Sequence, residues 1–302
     1  MHTIRNTFST HLLISDDAAL KFQKLTLDCI ESLRPYFIQD GSRICDSTVG
    51  STFMWRDFHK TEYALSNGVL YLKASLPEPV FARPRGLEAG FDAYERIFEC
   101  SANPVRICSV PESDVESFMQ KFPGSKAWTD RAWSDYLYLS DDIKGLAGRK
   151  YSGQRNHINR FKKENPVWSF EPIGADNLPR ATEFVNQLTS FNYQLSTYVD
   201  LLQNFTQYGT LLGGILYADD TVIGVSTGEI VGDTLFIHSE KADTTYHGAY
   251  PMLVNQFAKM FADETVVYIN REEDDGVEGL RTSKLSYHPV GLLSKYVVEI
   301  CR

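Results

Sequence analysis

The stretch YINREEDDGVEGLRTSKLSYHP, from Tyr268 to Pro289, decides how the rest of the chain is read. An apolar strand, Val266–Asn270, runs into four consecutive acids, Glu272 to Asp275. It then turns at Gly276 and continues as a short helix, Gly279–Leu285, that bears Arg281 and Lys284. A buried strand needs no such cluster to end it, and ligands of open α/β sheets sit outside the carboxyl ends of strands. Arg281 and Lys284 are three residues apart and so share a helix face, which suits a phosphate or a carboxylate. The acids ahead of them offer the plainer alternative, a set of structural ion pairs.

The strands on either side carry further candidates. Val266, Tyr268 and Asn270 share one face of their strand and Arg271 points the other way. Asn270 can donate to a carbonyl oxygen as it gains charge, the role of an oxyanion-hole donor. In Thr234–Lys241, Phe236, His238 and Glu240 share a face, and Glu240 lies at the carboxyl end, where the sheet would splay in the fold that the order of elements matches below. Where a reaction needs a deprotonated nucleophile, Glu240 is the preferred proton acceptor and His238 the second choice. For both, the alternative is a satisfied polar group in a half-buried sheet.

Further outward, the second half reads as strand Val167–Pro172, helices Asp176–Thr189 and Tyr198–Tyr208, and three strands, Leu211–Ala218, Thr221–Val231 and Thr234–Lys241. The turns between those strands are Asp219-Asp220 and Gly232-Asp233. Helix Met252–Phe261, the Tyr268 region and a last strand, Tyr296–Ile300, complete it. The first half reads as a helix from Asp17 to Pro35 and a hairpin across Asn67-Gly68. A helix near Leu87–Cys100, strand Val105–Val110, a helix opened by Pro111 and a closing strand, Tyr136–Leu139, follow. The order β-α-α-β-β-β-α-β-α-β of the second half is that of the GNAT acyltransferase fold, and the first half has a similar order.

The bulk numbers agree with this reading. With 302 residues, 43% hydrophobic and 23% charged, the chain has room for two domains. Five cysteines without a C-x-x-C spacing suit reduced thiols in the cytoplasm and argue against a zinc ribbon or a disulfide framework. No basic leader precedes an apolar run, and no apolar run nears the ~20 residues that span a bilayer. The net charge of −9 disfavours indiscriminate binding to nucleic acid, yet Lys144 to Lys163 holds seven basic residues and no acid. Tyr151, Ile158 and Phe161 fall at helical spacing there, with Arg149, Arg160 and Lys163 on another face. That face attracts phosphate or is simply solvated. Scattered along the chain, Trp55, Trp128, Trp133 and Trp168 read as packing residues. His238-Ser239-Glu240 lacks the P-C-x-x-C that a zinc deaminase requires, and no metal is expected.

The segments SDYLYLSDDIKGLAGRKYSGQRNHINRFKKENP, HSEKADTTYHGAYPMLVNQFA and YINREEDDGVEGLRTSKLSYHPVGLLSKY closely resemble the family related to the C-terminal domain of phosphatidylglycerol lysyltransferase. STFMWRDFHKTEYALSNGVLYL is similar to its N-terminal portion. The resemblance implies two tandem GNAT-like domains with mixed sheets flanked by helices, here 1–140 and 141–302. It also implies kinship with Fem-type transferases, which take aminoacyl groups from tRNA. Tyr287 then occupies the place where related acyltransferases carry a tyrosine acid. For coenzyme A the superfamily uses Q/R-x-x-G-x-G/A at a helix N-terminus. Here Thr245 replaces the first residue and Tyr250 the last, around Gly248, where a ring crowds the approach of a pyrophosphate.

The expectation is a cytoplasmic acyl- or aminoacyltransferase, monomer or dimer. Its donor would be aminoacyl-tRNA and its acceptor an amine or hydroxyl on a small or lipid-like molecule. The alternatives are a coenzyme A-dependent N-acyltransferase and a non-catalytic binding module. Lys241, Gly248, Tyr250, Arg271, Arg281 and Lys284 would hold the donor, and Lys150, Arg155, Arg160 and Lys163 its phosphates.

Overall fold

The computed structural model describes residues 19–38, 43–75, 78–188 and 193–301. Its strands form two seven-stranded mixed sheets. β1 (Gln23–Lys24), β2 (Glu62–Ser66), β3 (Val69–Ala74), β4 (Val80–Ala82), β5 (Val105–Pro111) and β6 (Lys126–Thr129) come from the first half. β7 (Asp135–Leu139) and β8 (Trp168–Pro172) follow. β9 (Leu212–Ala218), β10 (Thr221–Val231) and β11 (Thr234–Ala242) form a meander, and β12 (Tyr268–Asn270), β13 (Gly291–Leu293) and β14 (Lys295–Ile300) close the chain. The hairpin turns are those the sequence calls for: Asn67, Gly68, Asp219 and Gly232 all take positive φ.

The sheets exchange strands. The first has the order β1-β2-β3-β4-β5-β14-β6 and the second β13-β7-β12-β11-β10-β9-β8. Tyr136–Leu139, expected to close the first half, instead pairs antiparallel with β12 in the second sheet. The final strand, expected in the second half, lies between β5 and β6 of the first. Sheet membership therefore crosses residue 140 in both directions. Apolar alternation tells which face of a strand is buried and not which neighbour it pairs with.

The first half holds one helix that the sequence reading did not include and one whose bounds differ from it. The segment around Trp55 contains a helix, Val49–Met54, whose N-cap Thr48 accepts a hydrogen bond from the Ser51 N–H. The helix expected from Asp17 begins only at Ile30, after the strand Gln23–Lys24 and a 3-10 turn, Leu27–Cys29, and it runs through Pro35 instead of stopping there; Asp17 itself lies outside the described residues. Pro35 lies on the exposed side, where water can take the carbonyl its missing N–H leaves free.

Each sheet has its own core, around Ile97, Ile107 and Val298 in the first and Tyr138, Phe161, Leu235 and Phe257 in the second. A third cluster joins the halves: Ile30, Leu33, Phe37 and Phe53 pack with Val185, Tyr198, Leu201 and Ile215. The helix Val49–Met54 is thereby held against the second half, which brings Met54 and Trp55 to the site described next.

Candidate functional site

The second sheet splits at the carboxyl ends of two parallel strands. β11 and β12 pair only at Thr234–Tyr268, Leu235–Ile269 and Phe236–Asn270, whereas β11 stays paired with β10 as far as Ala242. Past Asn270 the chain swings away through left-handed conformations at Glu272, Asp275 and Gly276. The split leaves a pocket of about 390 Å³, bounded by the end of β11, the Arg271–Asp275 loop, the helix Glu278–Leu285 and, from the first half, Met54 and Trp55.

Charge pairs cross this split in place of backbone hydrogen bonds. His238 is buried with its Nδ1 2.8 Å from Glu272 and its Nε2 3.0 Å from Glu229. Burial opposes its charge, yet the hydrogen bonds to Glu229 and Glu272 raise its pKa to about 9. It is therefore an imidazolium at neutral pH, with both ring N–H groups donated, and has no lone pair with which to act as a base. Two residues on, Glu240 Oε2 accepts from Arg271 Nη2 at 2.7 Å and from Nε at 3.3 Å. The guanidinium also lies over the Tyr287 ring, 4.7 Å from its centroid. This pair is incompletely satisfied: Glu240 Oε1 and Arg271 Nη1 are buried without a hydrogen-bond partner. Lys241 lines the same pocket, and burial lowers its pKa.

The remaining expected residues divide. Lys284 is buried and donates to the carbonyls of Arg271 (2.5 Å) and Glu273, so it pins the loop; burial lowers its pKa. Arg281 makes two 2.9 Å bonds to the buried Asp274, which also accepts from the Tyr136 hydroxyl at 2.6 Å, as in the ion-pair reading. The Asn270 amide donates to the Arg43 carbonyl at 2.7 Å and to Asp135 at 2.9 Å, and its Oδ1 accepts the Glu272 N–H. Its side chain is thus spent on the far side of the strand from Arg271. Tyr287 is buried outside the pocket lining, and burial raises its pKa, which makes it a poorer proton donor.

Tyr250 borders the pocket. Gly248 is left-handed (φ 81°), and any side chain there would collide with the His157 carbonyl. The helix Ser152–Glu164 therefore packs against the turn where a pyrophosphate would approach. On that helix Ile158 and Phe161 are buried, as their spacing implies. Lys150 pairs with Asp142 at 2.9 Å and Arg160 with Glu164 at 2.7 Å. Arg155 turns inward to the carbonyls of Leu146 and Gly148. Lys163 is exposed, and none of these four lines the pocket.

Sequence reasoning missed several partners. Glu229 is a buried acid in the apolar strand β10, an anomaly that was itself a signal, and it also accepts the Gly50 N–H at 2.5 Å. Behind the loop, Lys295 lies 2.9 Å from Asp46, 2.9 Å from Asp135 and 2.8 Å from Glu273. Burial opposes its charge, but Asp135 and Asp46 raise its pKa well above the usual lysine range. Cys45, Asp135 and Glu273 sit close enough to hold a cation, and the ammonium of Lys295 already takes that place, 3.5 Å from the Cys45 sulfur.

A mixed sheet flanked by helices and split between parallel strands is the GNAT-like fold, and two mixed sheets flanked by helices, the second of them split in this way, make up this molecule. The chain belongs to the family of the C-terminal domain of phosphatidylglycerol lysyltransferase, whose model matches residues 41–299. A conserved protein of unknown function from Bacteroides thetaiotaomicron VPI-5482 is 29% identical and superposes with a TM-score of 0.85 over 93% of this chain and 99% of its own. L-PGS from Bacillus licheniformis shares the fold at 14% identity (TM-score 0.63, 89% and 91% covered), as does FemX at 9% (0.59, 91% and 97%). An uncharacterized protein of Mycoplasmoides gallisepticum is 27% identical over 180 residues, 55% of this chain, and the match spans only 56% of that relative. Among the described residues no helix is long and apolar enough to cross a membrane.

Proposed function

We propose that this protein transfers an aminoacyl group from an activated ester, such as aminoacyl-tRNA, to an amine or hydroxyl acceptor. The observation that carries this reading is the pair of orphaned atoms in the split sheet. Glu240 Oε1 is a buried acceptor and Arg271 Nη1 a buried donor, each without a partner, on two residues that pair with one another and line the pocket. Leaving a buried charged group unsatisfied costs about 1–3 kcal/mol or more, so a ligand that supplies both partners is favoured. An aminoacyl ester has them: its ammonium donates to Glu240, and its carbonyl oxygen accepts from Arg271. In this reading Arg271 takes the polarising role first expected of Asn270, and Lys241 lines the same pocket beside them.

The turn at Gly248 favours this donor over coenzyme A, because the His157 backbone fills the space a pyrophosphate needs. Exposed lysines of the helix Ser152–Glu164, Lys162 and Lys163, supply the phosphate contacts of a tRNA. The test is transfer from a mixture of labelled aminoacyl-tRNAs to amine and alcohol acceptors. Glu240→Gln should lower the rate about 100-fold, as loss of one preorganised electrostatic contact does. An enzyme that turns over equally well with Glu240→Gln, or a protein that binds acetyl-CoA by calorimetry and no aminoacyl ester, overturns the proposal.

A further inference from the structure

Behind the Glu272–Asp275 loop lies a second cavity, of about 490 Å³, that Glu273 shares with the first. Its wall is apolar and aromatic: Trp128 on β6, Trp133 in the turn after it, Tyr296 and Val297 on β14, and Val80 on β4. The tryptophans were expected to be packing residues, yet Trp128 and Trp133 remain 38% and 39% exposed. Exposed indole rings gathered at one concave site mark a binding surface better than a core.

The inner end of the cavity is acidic. Asp46 and Glu273 both line it, with side chains 39% and 26% exposed, and Asp135 lies fully buried just behind them. One ammonium, Lys295, serves all three. Burial pushes Asp135 up to about 7, so near neutral pH part of its charge is lost, and two accessible carboxylates still face one cation. The other charges at the rim pair among themselves: Arg106 bonds to Glu78 and, at 3.0 Å, to Glu299.

We propose that this cavity binds a cationic amine carried on an aromatic or apolar body. The charged head would meet Asp46 and Glu273, where net negative charge is left over, and ring faces of the wall can share the cation. The body would cover the exposed indoles, and that burial of apolar surface supplies the rest of the affinity. An anionic ligand of the same shape would meet uncompensated carboxylates. A neutral one would leave them without a donor. The ligand class follows from the cavity alone and does not depend on the transferase reading. Because Glu273 borders both cavities, an amine held here sits one side chain away from whatever occupies the split sheet.

Calorimetric titration of the full chain with 2-phenylethylamine tests this, with 2-phenylethanol and 3-phenylpropionate as matched neutral and anionic probes. The expected result is saturable binding of the amine, at least about tenfold weaker binding of the alcohol, and none of the acid. Trp128→Ala and Trp133→Ala, both at half-exposed positions, should each weaken the amine about fivefold without lowering the melting temperature. The proposal is overturned if the amine does not saturate, if the acid or the alcohol binds as tightly, or if the double variant binds the amine unchanged.

Discussion

Glu272 and Glu273 are chain neighbours that serve opposite sides of one loop. Glu272 joins His238 and Glu229 on the side of the split sheet; Glu273 joins Asp46, Asp135 and Lys295 on the side of the first half. Near the split, cations and carboxylates are nearly matched, and two atoms of the Glu240–Arg271 pair are left over. Behind the loop a single ammonium holds three carboxylates contributed by well-separated parts of the chain. The near cluster keeps a gap open by bridging strands that no longer pair. The far cluster ties β14 to the Cys45–Asp135 region and closes the molecule. Similar residue types thus do different jobs, and what separates them is whether partners are in surplus.

The largest effect should come from the far cluster. Lys295→Met strips the ammonium from three buried or half-buried acids and should cost about 3–5 kcal/mol, read from urea unfolding. A loss below about 1 kcal/mol would erase the distinction between the clusters. In the near cluster, His238 holds its proton in the folded state to about pH 9, against 6.5 for an ordinary histidine. A raised folded pKa stabilises fully below pH 6.5, and the contribution drains away as pH climbs through 9. Stability should therefore fall by up to about 3 kcal/mol across that window. His238→Gln should flatten the decline; a variant that keeps the full slope would assign it to another group.

Gly50→Ala sets a methyl group against His238 Nε2 and Glu229 Oε1. The expected loss is about 1–3 kcal/mol by thermal melting, together with a weaker pH response if the two clusters are as separate as they look. The smallest effect on stability belongs to Lys162→Glu with Lys163→Glu, on an exposed helix face. The melting curve should not move, while tRNA affinity falls and its log–log salt slope shrinks by about two. A gel-shift titration that shows unchanged binding removes tRNA from this face.

Element types were largely legible in the sequence, and their pairings were not. The β9–β10–β11 meander, with its turns at Asp219 and Gly232, follows from alternation and turn chemistry. The gap beyond Phe236 and Asn270 was expected from the fold that the order of elements matches, and the acids that follow an apolar strand marked its place. Which charge meets which was hidden, because Glu240 finds Arg271 across 31 positions and Lys295 finds Asp46 across 249. Residue type alone placed Asn270 and His238 among catalytic candidates; only coordinates reveal that their hydrogen-bonding capacity is already used. Glu229 was visible as an acid inside an apolar strand, yet nothing nearby in sequence named His238 and Gly50 as its partners. Val49–Met54 escaped notice because six residues are too few to display a period.

The position of β14 bears on how the molecule is made. Lys295–Ile300 leaves the ribosome long after β5 and β6, so until it does those two strands wait with a vacancy between them. The amino-terminal sheet can then be finished only after the other half has emerged, and a nascent chain stalled near residue 290 should remain sensitive to protease along β5 and β6.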